Sequence, residues 1–299
     1  MALARTATGY SKKKAQQMVQ SRAIQTTLIA TISIFALTIA AVGQALGESS
    51  LDTSYIVSFA RVPVGEITAS LVVGNTEYKM SARGRAGGIV KVLLDGEGSF
   101  ITQGTNVDGG LEPKSFTSKI VSNKGTSEIT MVFEGGGVKE LAATPLPGSD
   151  RVPVTETNRQ GVVDPLTAML FSASVVNEQL SKDACRHTLP IFDGQQRYDL
   201  KLAFKRMDKA AAEKGYAGPV VVCSLRYEPI AGHSASNTLV KYVSEGREME
   251  LALAPIAGTH WLAPIRFSIA STIANLVIEA SRFEANARTE APFADPKAP

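Results

Sequence analysis

The amino-acid sequence predicts a mainly β protein, built as an antiparallel curled sheet or open barrel with one or two short helices and a disulfide. Three observations predict this fold: short runs of alternating apolar and polar residues, glycine-rich turns between the runs, and a single pair of cysteines. Alternation with a period of two places every second side chain on the same face of a strand. Strands that bury only one face are typical of antiparallel sheets.

The alternation is clearest in five runs downstream of Leu51. These runs span residues 65–71, 128–134, 198–205, 248–253 and 265–269. Turn sequences lie between the runs, at residues 74–75, 95–96, 108–110, 123–125, 135–137, 193–194 and 245–246. Glycine, asparagine and aspartate at such positions accept the positive φ of tight hairpins. Regularly spaced turns therefore indicate a meandering barrel or curled sheet rather than βαβ units.

Two segments carry helical signals. The C-terminal end of the chain carries neither a helical nor a strand signal. Asp164 and Pro165 fit the N-cap and the first helical position, which predicts a helix over residues 166–176. A shorter helix is predicted over residues 207–214, where Gly215 would end it. Residues 285–299 are rich in proline, alanine and glutamate and are predicted to form a disordered tail.

The first 47 residues differ from the rest of the chain. Residues 1–22 contain five basic and no acidic side chains, and residues 23–47 carry no charge. A basic segment, an apolar segment and small residues at Ala45 and Gly47 are the layout of a secretory signal. The uncharged run is also long enough to remain as an inner-membrane anchor. Both alternatives place one domain, residues 48–284, in the periplasm, because the basic cluster stays on the cytoplasmic side.

The charge of the exported domain argues against nucleic-acid binding. The whole chain has a formal net charge of +3. Without the first 47 residues, 26 basic side chains remain against 28 acidic ones, so the net charge becomes −2. The excess of basic over acidic residues thus belongs to the targeting segment. We therefore expect the domain to lack the positive surface that nucleic acids require.

Cys185 and Cys223 are the two cysteines of the chain. In an oxidising compartment an isolated pair predicts a disulfide. The sequence contains no CxxC motif, and no histidine stands at metal-ligand spacing. We therefore expect the pair to be structural rather than catalytic or metal-binding.

No sequence pattern identifies a catalytic, nucleotide-binding or metal site. The glycine-rich stretch at residues 84–88 lacks the GxGxxG and GxxxxGK[ST] patterns, so we expect a turn or bulge there. The chain has no GxSxG motif, and His187, His233 and His260 are scattered. We therefore expect no catalytic residue, no metal and no cofactor, and we predict that the protein is not an enzyme.

Apolar residues in the C-terminal half leave two alternatives open. Trp261, with Leu262 beside it, can belong to the core of the domain. It can instead line a pocket for an apolar ligand, since a curled sheet can enclose one. In that case the expected lining residues are Phe204, Met249, Trp261 and Phe267.

Four segments carry a family resemblance. They are YIVSFARVPVGE from Tyr55, VDPLTA from Val163, LPIFDG from Leu189 and the closing hairpin at residues 263–279. In this order they resemble a bacterial envelope family known as domain of unknown function 3108, over about residues 55–283. The chain is also similar to alphaproteobacterial envelope-integrity proteins with a β-spiral or open barrel and a disulfide. The resemblance implies a periplasmic antiparallel β protein, and it carries over no catalytic residue.

These observations lead to hypotheses from different functional classes. The first is a non-enzymatic periplasmic protein that supports cell-envelope integrity by binding a protein or another envelope component. The alternative is a carrier or sensor of a lipid or other apolar envelope ligand. A third hypothesis, an envelope hydrolase, requires histidine and carboxylate side chains that converge at a cleft. The expected partner is an envelope protein or a lipid, and the N-terminal segment contacts the membrane if it is not cleaved.

Overall fold

The computed structural model describes residues 48–87, 96–107, 110–172, 175–176, 179–270 and 274–287. The predicted signal or anchor, residues 1–47, lies outside the described residues, as do residues 288–299 of the predicted tail. No helix within these ranges is long and apolar enough to cross a membrane.

Strands account for most of the described chain. They are β1 Ser49–Phe59, β2 Val62–Val73, β3 Glu77–Ala86, β4 Gly96–Val107, β5 Gly110–Ser122, β6 Gly125–Glu134, β7 Gly137–Thr144, β8 Phe171–Ser172, β9 Val175–Val176, β10 Gln179–Leu180, β11 Thr188–Phe192, β12 Arg197–Ala211, β13 Lys214–Gly215, β14 Ala217–Ala231, β15 Met249–Pro255, β16 Trp261–Ile269 and β17 Leu276–Ala287. Helix α1 spans Thr238–Ser244, and short 3-10 turns span Glu156–Arg159, Thr167–Met169 and Lys182–Cys185.

One sheet contains all of these strands except the small β9–β10 hairpin. Its order is β11-β12-β14-β15-β16-β17-β1-β2-β3-β4-β5-β6-β7, with β8 added to β16 and β13 to β17. Pairing is antiparallel except between β13 and β17. The sheet curls without closing, so β11 and β7 are its two edges. The predicted antiparallel curled sheet is confirmed.

The chain between β7 and β8 lies across the opening of the sheet. Gln160 pairs with Gly137 on one edge strand, and Val163 pairs with Ile191 on the other. The Phe192 N–H donates to the Val163 carbonyl oxygen at 3.0 Å. These contacts satisfy part of both edges, and they position the residues that follow Val163 inside the curl.

The five alternating runs lie in strands β2, β6, β12, β15 and β16, as predicted. The prediction that the alternating runs bury a single face is wrong in the centre of the sheet. Residues 251–254 of β15 are all buried, on both faces of the strand. Ile265 is a bulge residue, because Ala252 pairs with Arg266 and Leu253 pairs with Pro264. A bulge moves the next side chains to the opposite face.

Both helix predictions are wrong. Residues 167–169 form only a 3-10 turn, and Phe171 and Ser172 then pair with Leu262 and Trp261 of β16. Residues 207–211 continue β12, which pairs with β14 as far as Ala211. In both segments the hydrogen bonds of a neighbouring strand outweigh weak local helix signals. Helix α1 forms instead between β14 and β15.

Three hydrophobic clusters fill the domain. The first packs β1–β3 against β14–β17 around Leu71, Tyr78 and Phe283. The second covers the other face of β14–β16 with Phe171, Leu180, Ala184 and Cys185. The third packs β5–β7 against the segment that crosses the opening, through Phe116 and Val162. The central strands are therefore buried on two sides.

The predicted disulfide is confirmed. Cys185 and Cys223 are bonded with an S–S distance of 2.01 Å, and both are fully buried. The bond joins the 3-10 turn Lys182–Cys185 to the middle of β14. It therefore fastens the segment that covers one face of the central strands.

The C-terminal boundary lies later than predicted. Strand β17 extends to Ala287, where Ala287 pairs with Ser49, so residues 285–287 belong to the sheet and not to a disordered tail. The domain thus extends three residues past the predicted limit at 284. Pairing with β1 orders these residues despite their tail-like composition.

We predict that Cys185→Ser lowers the free energy of unfolding by about 4 kcal/mol, because the disulfide closes a long loop in the unfolded chain. Chemical unfolding of oxidised wild type and variant measures this difference. Reduction should destabilise the wild type and leave the variant unchanged. Equal unfolding midpoints for the oxidised proteins would contradict the structural role of the bond.

Candidate functional site

A cavity of about 410 Å³ lies on the concave face of the sheet. Residues from β12, β14, β15, β16, β17, β1, β2 and β3 line it, and these eight strands are consecutive in the sheet order. The turn around residues 166–170 and Val243 of α1 complete the lining. The curled sheet, rather than a single loop, therefore forms the wall of the cavity.

Strand pairing aligns apolar side chains on one face of these strands. Directly paired residues in an antiparallel ladder share a face, so their side chains form rows. The rows at the cavity are Leu225–Met249–Ile269, Leu251–Phe267–Ile278, Tyr55–Ile67 and Leu51–Leu71–Met80. Ile278 also pairs with Val57, two residues from Tyr55, which joins the C-terminal rows to the N-terminal rows.

Two hydroxyl groups of the lining donate hydrogen bonds to carbonyl oxygens of the protein. The Tyr55 hydroxyl donates to the Pro264 carbonyl oxygen at 2.8 Å, and the Thr53 hydroxyl donates to the Ala69 carbonyl oxygen at 3.2 Å. Burial raises the pKa of Tyr55 to about 12, so the hydroxyl stays protonated. These bonds leave the cavity wall with an almost wholly apolar character.

Two of the four predicted lining residues line the cavity, namely Met249 and Phe267. Phe204 lies outside it and is 42% exposed, although it pairs with the buried Cys223. Trp261 lies in the first core cluster, packed beside His260 at 4.6 Å between ring centroids. The core alternative is therefore correct for Trp261.

Sequence reasoning missed the contribution of the N-terminal strands. Leu51, Tyr55 and Met80 line the cavity from β1 and β3. Alternation in residues 65–71 already placed Ile67 on one face of β2, but it did not reveal that β2 faces β15 across a shared space. That information resides in the strand order, which no single run of residues encodes.

A buried carboxylate holds the turn that covers the cavity. Asp164 is fully buried, and its Oδ1 accepts hydrogen bonds from the Leu166 N–H at 2.9 Å and the Thr167 N–H at 3.1 Å. Asp164 thus accepts the two N–H bonds that an N-cap accepts, but the predicted helix does not follow, and the N-cap of the 3-10 turn is Leu166. Leu166 and Leu170 of this turn line the cavity.

Hydroxyl groups supply the remaining hydrogen bonds to the Asp164 carboxylate. The Thr167 hydroxyl donates to Asp164 Oδ2 at 2.5 Å, and the Thr102 hydroxyl lies 2.9 Å from the same oxygen. The Tyr78 hydroxyl is 2.7 Å from the Thr167 hydroxyl. Burial raises the pKa of Asp164, and the hydrogen bonds to its oxygens oppose this rise. The network ties the turn to β3 and β4.

None of the three histidines lines the cavity. Burial lowers the pKa of His187, which packs beside Phe171. Within the described ranges, no group of three or more histidine, cysteine or carboxylate side chains could hold a metal ion. Residues 84–86 belong to β3 and pair with β2 and β4, so the turn or bulge expected there is wrong for these residues. Residue 88 lies outside the described residues.

Comparison with known proteins identifies similar sequences and folds. A sequence model of the family described as "Protein of unknown function (DUF3108)" matches residues 54–280. No curated protein matches the chain. Among solved structures, the chain is similar to a Brucella abortus protein described as a beta-barrel-like protein of domain of unknown function DUF1849. That pair has 9% identity and a TM-score of 0.41, and the similarity covers 80% of this chain and 98% of the other.

We predict that Asp164→Ala lowers the free energy of unfolding by about 2–3 kcal/mol, because buried N–H and hydroxyl donors lose their acceptor. Asp164→Asn retains an acceptor for the two N–H groups and should cost less. Urea unfolding of both variants beside wild type measures the difference. An unchanged midpoint for Asp164→Ala would contradict the proposed role of the carboxylate.

The same carboxylate predicts a pH dependence. Its pKa is raised above the ordinary value of 3.8, so between these two pKa values the native state holds more protons than the unfolded state. The contribution of Asp164 to wild-type stability therefore falls as the pH rises through this window. The difference in stability between wild type and Asp164→Asn, followed by urea unfolding across this pH range, should show that fall.

Proposed function

The chain belongs to the DUF3108 family of proteins of unknown function, and from this premise we propose that its β domain is a non-enzymatic binding protein for an apolar molecule of the bacterial envelope, such as the acyl chain of a lipid. The observation that carries the proposal is the apolar cavity of about 410 Å³ within the curl. A volume of this size lies in the range of small-molecule sites.

The chemistry of the wall supports an apolar ligand. Apolar cavities hold water poorly, because water there finds no hydrogen-bond partners, and they accept apolar molecules instead. The hydroxyls of Tyr55 and Thr53 donate to carbonyl oxygens of the protein, so they offer little to a polar ligand. Each methylene of a ligand that leaves water for such a wall contributes about 0.8 kcal/mol.

Residence in the periplasm is part of the proposal. The layout of residues 1–47 supports export or an inner-membrane anchor. The Cys185–Cys223 disulfide is consistent with an oxidising compartment. An envelope protein with an apolar cavity would have lipids as its nearest source of ligand.

Support of envelope integrity through a protein partner is the second candidate. One observation favours it: the outer side of β7, Gly137–Thr144, pairs only at Gly137 within the described chain. An edge strand of this kind can accept an added strand from another protein. This candidate and the lipid-binding function use different parts of the fold, so experiments can separate them.

We predict that Ala69→Phe weakens binding of cis-parinaric acid, a fluorescent long-chain fatty acid, by at least tenfold. Ala69 lines the cavity on β2, and the added ring would fill the space that the ligand needs. The matched control is Ala203→Phe, at an exposed position of β12 that does not line the cavity. Fluorescence titration measures both affinities. Equal affinity of Ala69→Phe and wild type, or no saturable binding by wild type, would contradict the proposal.

We predict that the native protein fractionates with the envelope and that, once the protein is denatured, neither cysteine reacts with a maleimide reagent before reduction. The reason is that residues 1–47 direct the domain to an oxidising space, where the disulfide forms. A variant without residues 1–47 is the control, and it should stay in the cytosol with both thiols reactive after denaturation. Recovery of the full chain from cytosol with labelled thiols would overturn the export proposal.

A further inference from the structure

We infer that the end of the domain formed by the β1–β2 hairpin tip and α1 docks on an anionic lipid bilayer. This end, residues 59–62 and 238–244, is called the mouth below. The inference rests on the proposed function, because it states where the apolar ligand enters. Four features support it: a gradient of burial, an exposed apolar tip, unpaired positive charges and a strained turn.

The burial gradient shows which end of the cavity is open. Along the cavity face of β1, Leu51 and Thr53 are buried, Tyr55 and Val57 are half-buried, and Phe59 is 50% exposed. The deep end adjoins the first core cluster. The shallow end therefore opens toward the tip of the β1–β2 hairpin.

Strand register places α1 at the same end. Phe59 pairs with Leu276, which pairs with Ile269, which pairs with Met249. Met249 is the first residue of β15, and α1 lies in the connection between β14 and this strand. Val243 of α1 lines the cavity. The hairpin tip and α1 thus lie at the end where the cavity opens.

The hairpin tip exposes apolar side chains on a strained turn. Phe59 is 50% exposed and Val62 is 45% exposed. Between them, Ala60 and Arg61 have φ values of 51° and 67°, a conformation that costs about 1–2 kcal/mol for each residue other than glycine. Asparagine and glycine are the usual residues of such a turn. The chain keeps an arginine there, between two exposed apolar residues.

Positive charges at this end of the sheet lie without ion-pair partners among the described residues. Arg61 in the tip, Lys241 on α1 and Lys124 in the β5–β6 turn are exposed, and none of them forms an ion pair within the described part of the chain. The β5–β6 turn lies at this end because Glu97 at the start of β4 pairs with Arg85 and Val121.

Acidic side chains at this end are mostly neutralised. Glu66 is 2.8 Å from Arg85, and Glu245 is 3.7 Å from Arg247. Glu97 forms no ion pair among the described residues. The unpaired cations therefore outnumber this unpaired acid, and the mouth attracts an anionic surface.

A bilayer fits these features better than a protein partner does. Two apolar side chains at a hairpin tip provide little of the area that a stable protein interface needs. They are well suited to shallow insertion between lipid headgroups, and each Lys or Arg near an anionic surface adds about 1 kcal/mol. Docking at the mouth would also let an acyl chain pass into the cavity without crossing water.

Vesicle flotation tests the inference. Vesicles of phosphatidylcholine alone are compared with vesicles that also contain phosphatidylglycerol. Wild type should float with the anionic vesicles and be released by high salt. Phe59→Ser combined with Val62→Ser should reduce the bound fraction at least tenfold, and Arg61→Gln should weaken binding only to anionic vesicles. Phe204→Ser and Lys209→Gln, at exposed positions of β12 away from the mouth, should bind as wild type does.

Binding of cis-parinaric acid by the same variants separates the two proposals. The tip variants should retain it, because neither Phe59 nor Val62 lines the cavity. Retained fatty-acid binding by wild type without flotation overturns the docking inference alone. Flotation unchanged by Phe59→Ser and Val62→Ser overturns it as well. Loss of saturable fatty-acid binding by wild type itself overturns the proposed function.

Discussion

Backbone pairing across the eight strands from β12 to β3 is the constraint on which the cavity depends. Each ladder places paired side chains on a common face, so a shift of one residue in any strand would turn its apolar side chains away from the curl. The row Leu251–Phe267–Ile278 shows how tightly this is set, because the bulge at Ile265 is what brings Phe267 onto the cavity face. The hydrophobic rows are therefore continuous although the sequence alternation is locally broken.

Polar contacts position the segments that cover the cavity. The segment after β7 bridges the two sheet edges at Gln160 and Val163, and Asp164 then fixes the turn that covers the cavity. The buried carboxylate is tolerated because its oxygens accept hydrogen bonds from N–H and hydroxyl groups. Cys223 pairs with Leu251 of the cavity wall, and the Cys185–Cys223 bond fastens a second covering segment on that face of β14. A hydrogen-bond network and a disulfide thus hold the two segments that cover the curl.

The sequence predicts the local features of the fold well and its long-range features poorly. Alternation and turn chemistry located the main strands, and the cysteine pair predicted the disulfide. The helix expected at residues 166–176 failed because the start of β16, which β17 does not pair, pairs instead with Phe171 and Ser172. Phe204 was expected to line a pocket but is exposed, and the two alternatives for Trp261 could not be separated from sequence. In both cases burial depends on which distant segment covers the residue. The sequence predicted the possibility of an apolar cavity and two of its lining residues, Met249 and Phe267. It did not predict the N-terminal wall of the cavity, because that wall depends on the strand order.

The central claim is that an apolar molecule occupies the curl in the cell. Native mass spectrometry of the full-length protein, recovered from the envelope of its own cells without added lipid, tests this most directly. We expect a mass above that of the chain, with an apolar molecule released on denaturation and absent from the Ala69→Phe variant. A wild-type mass equal to that of the chain alone, in repeated gentle preparations, would contradict the account.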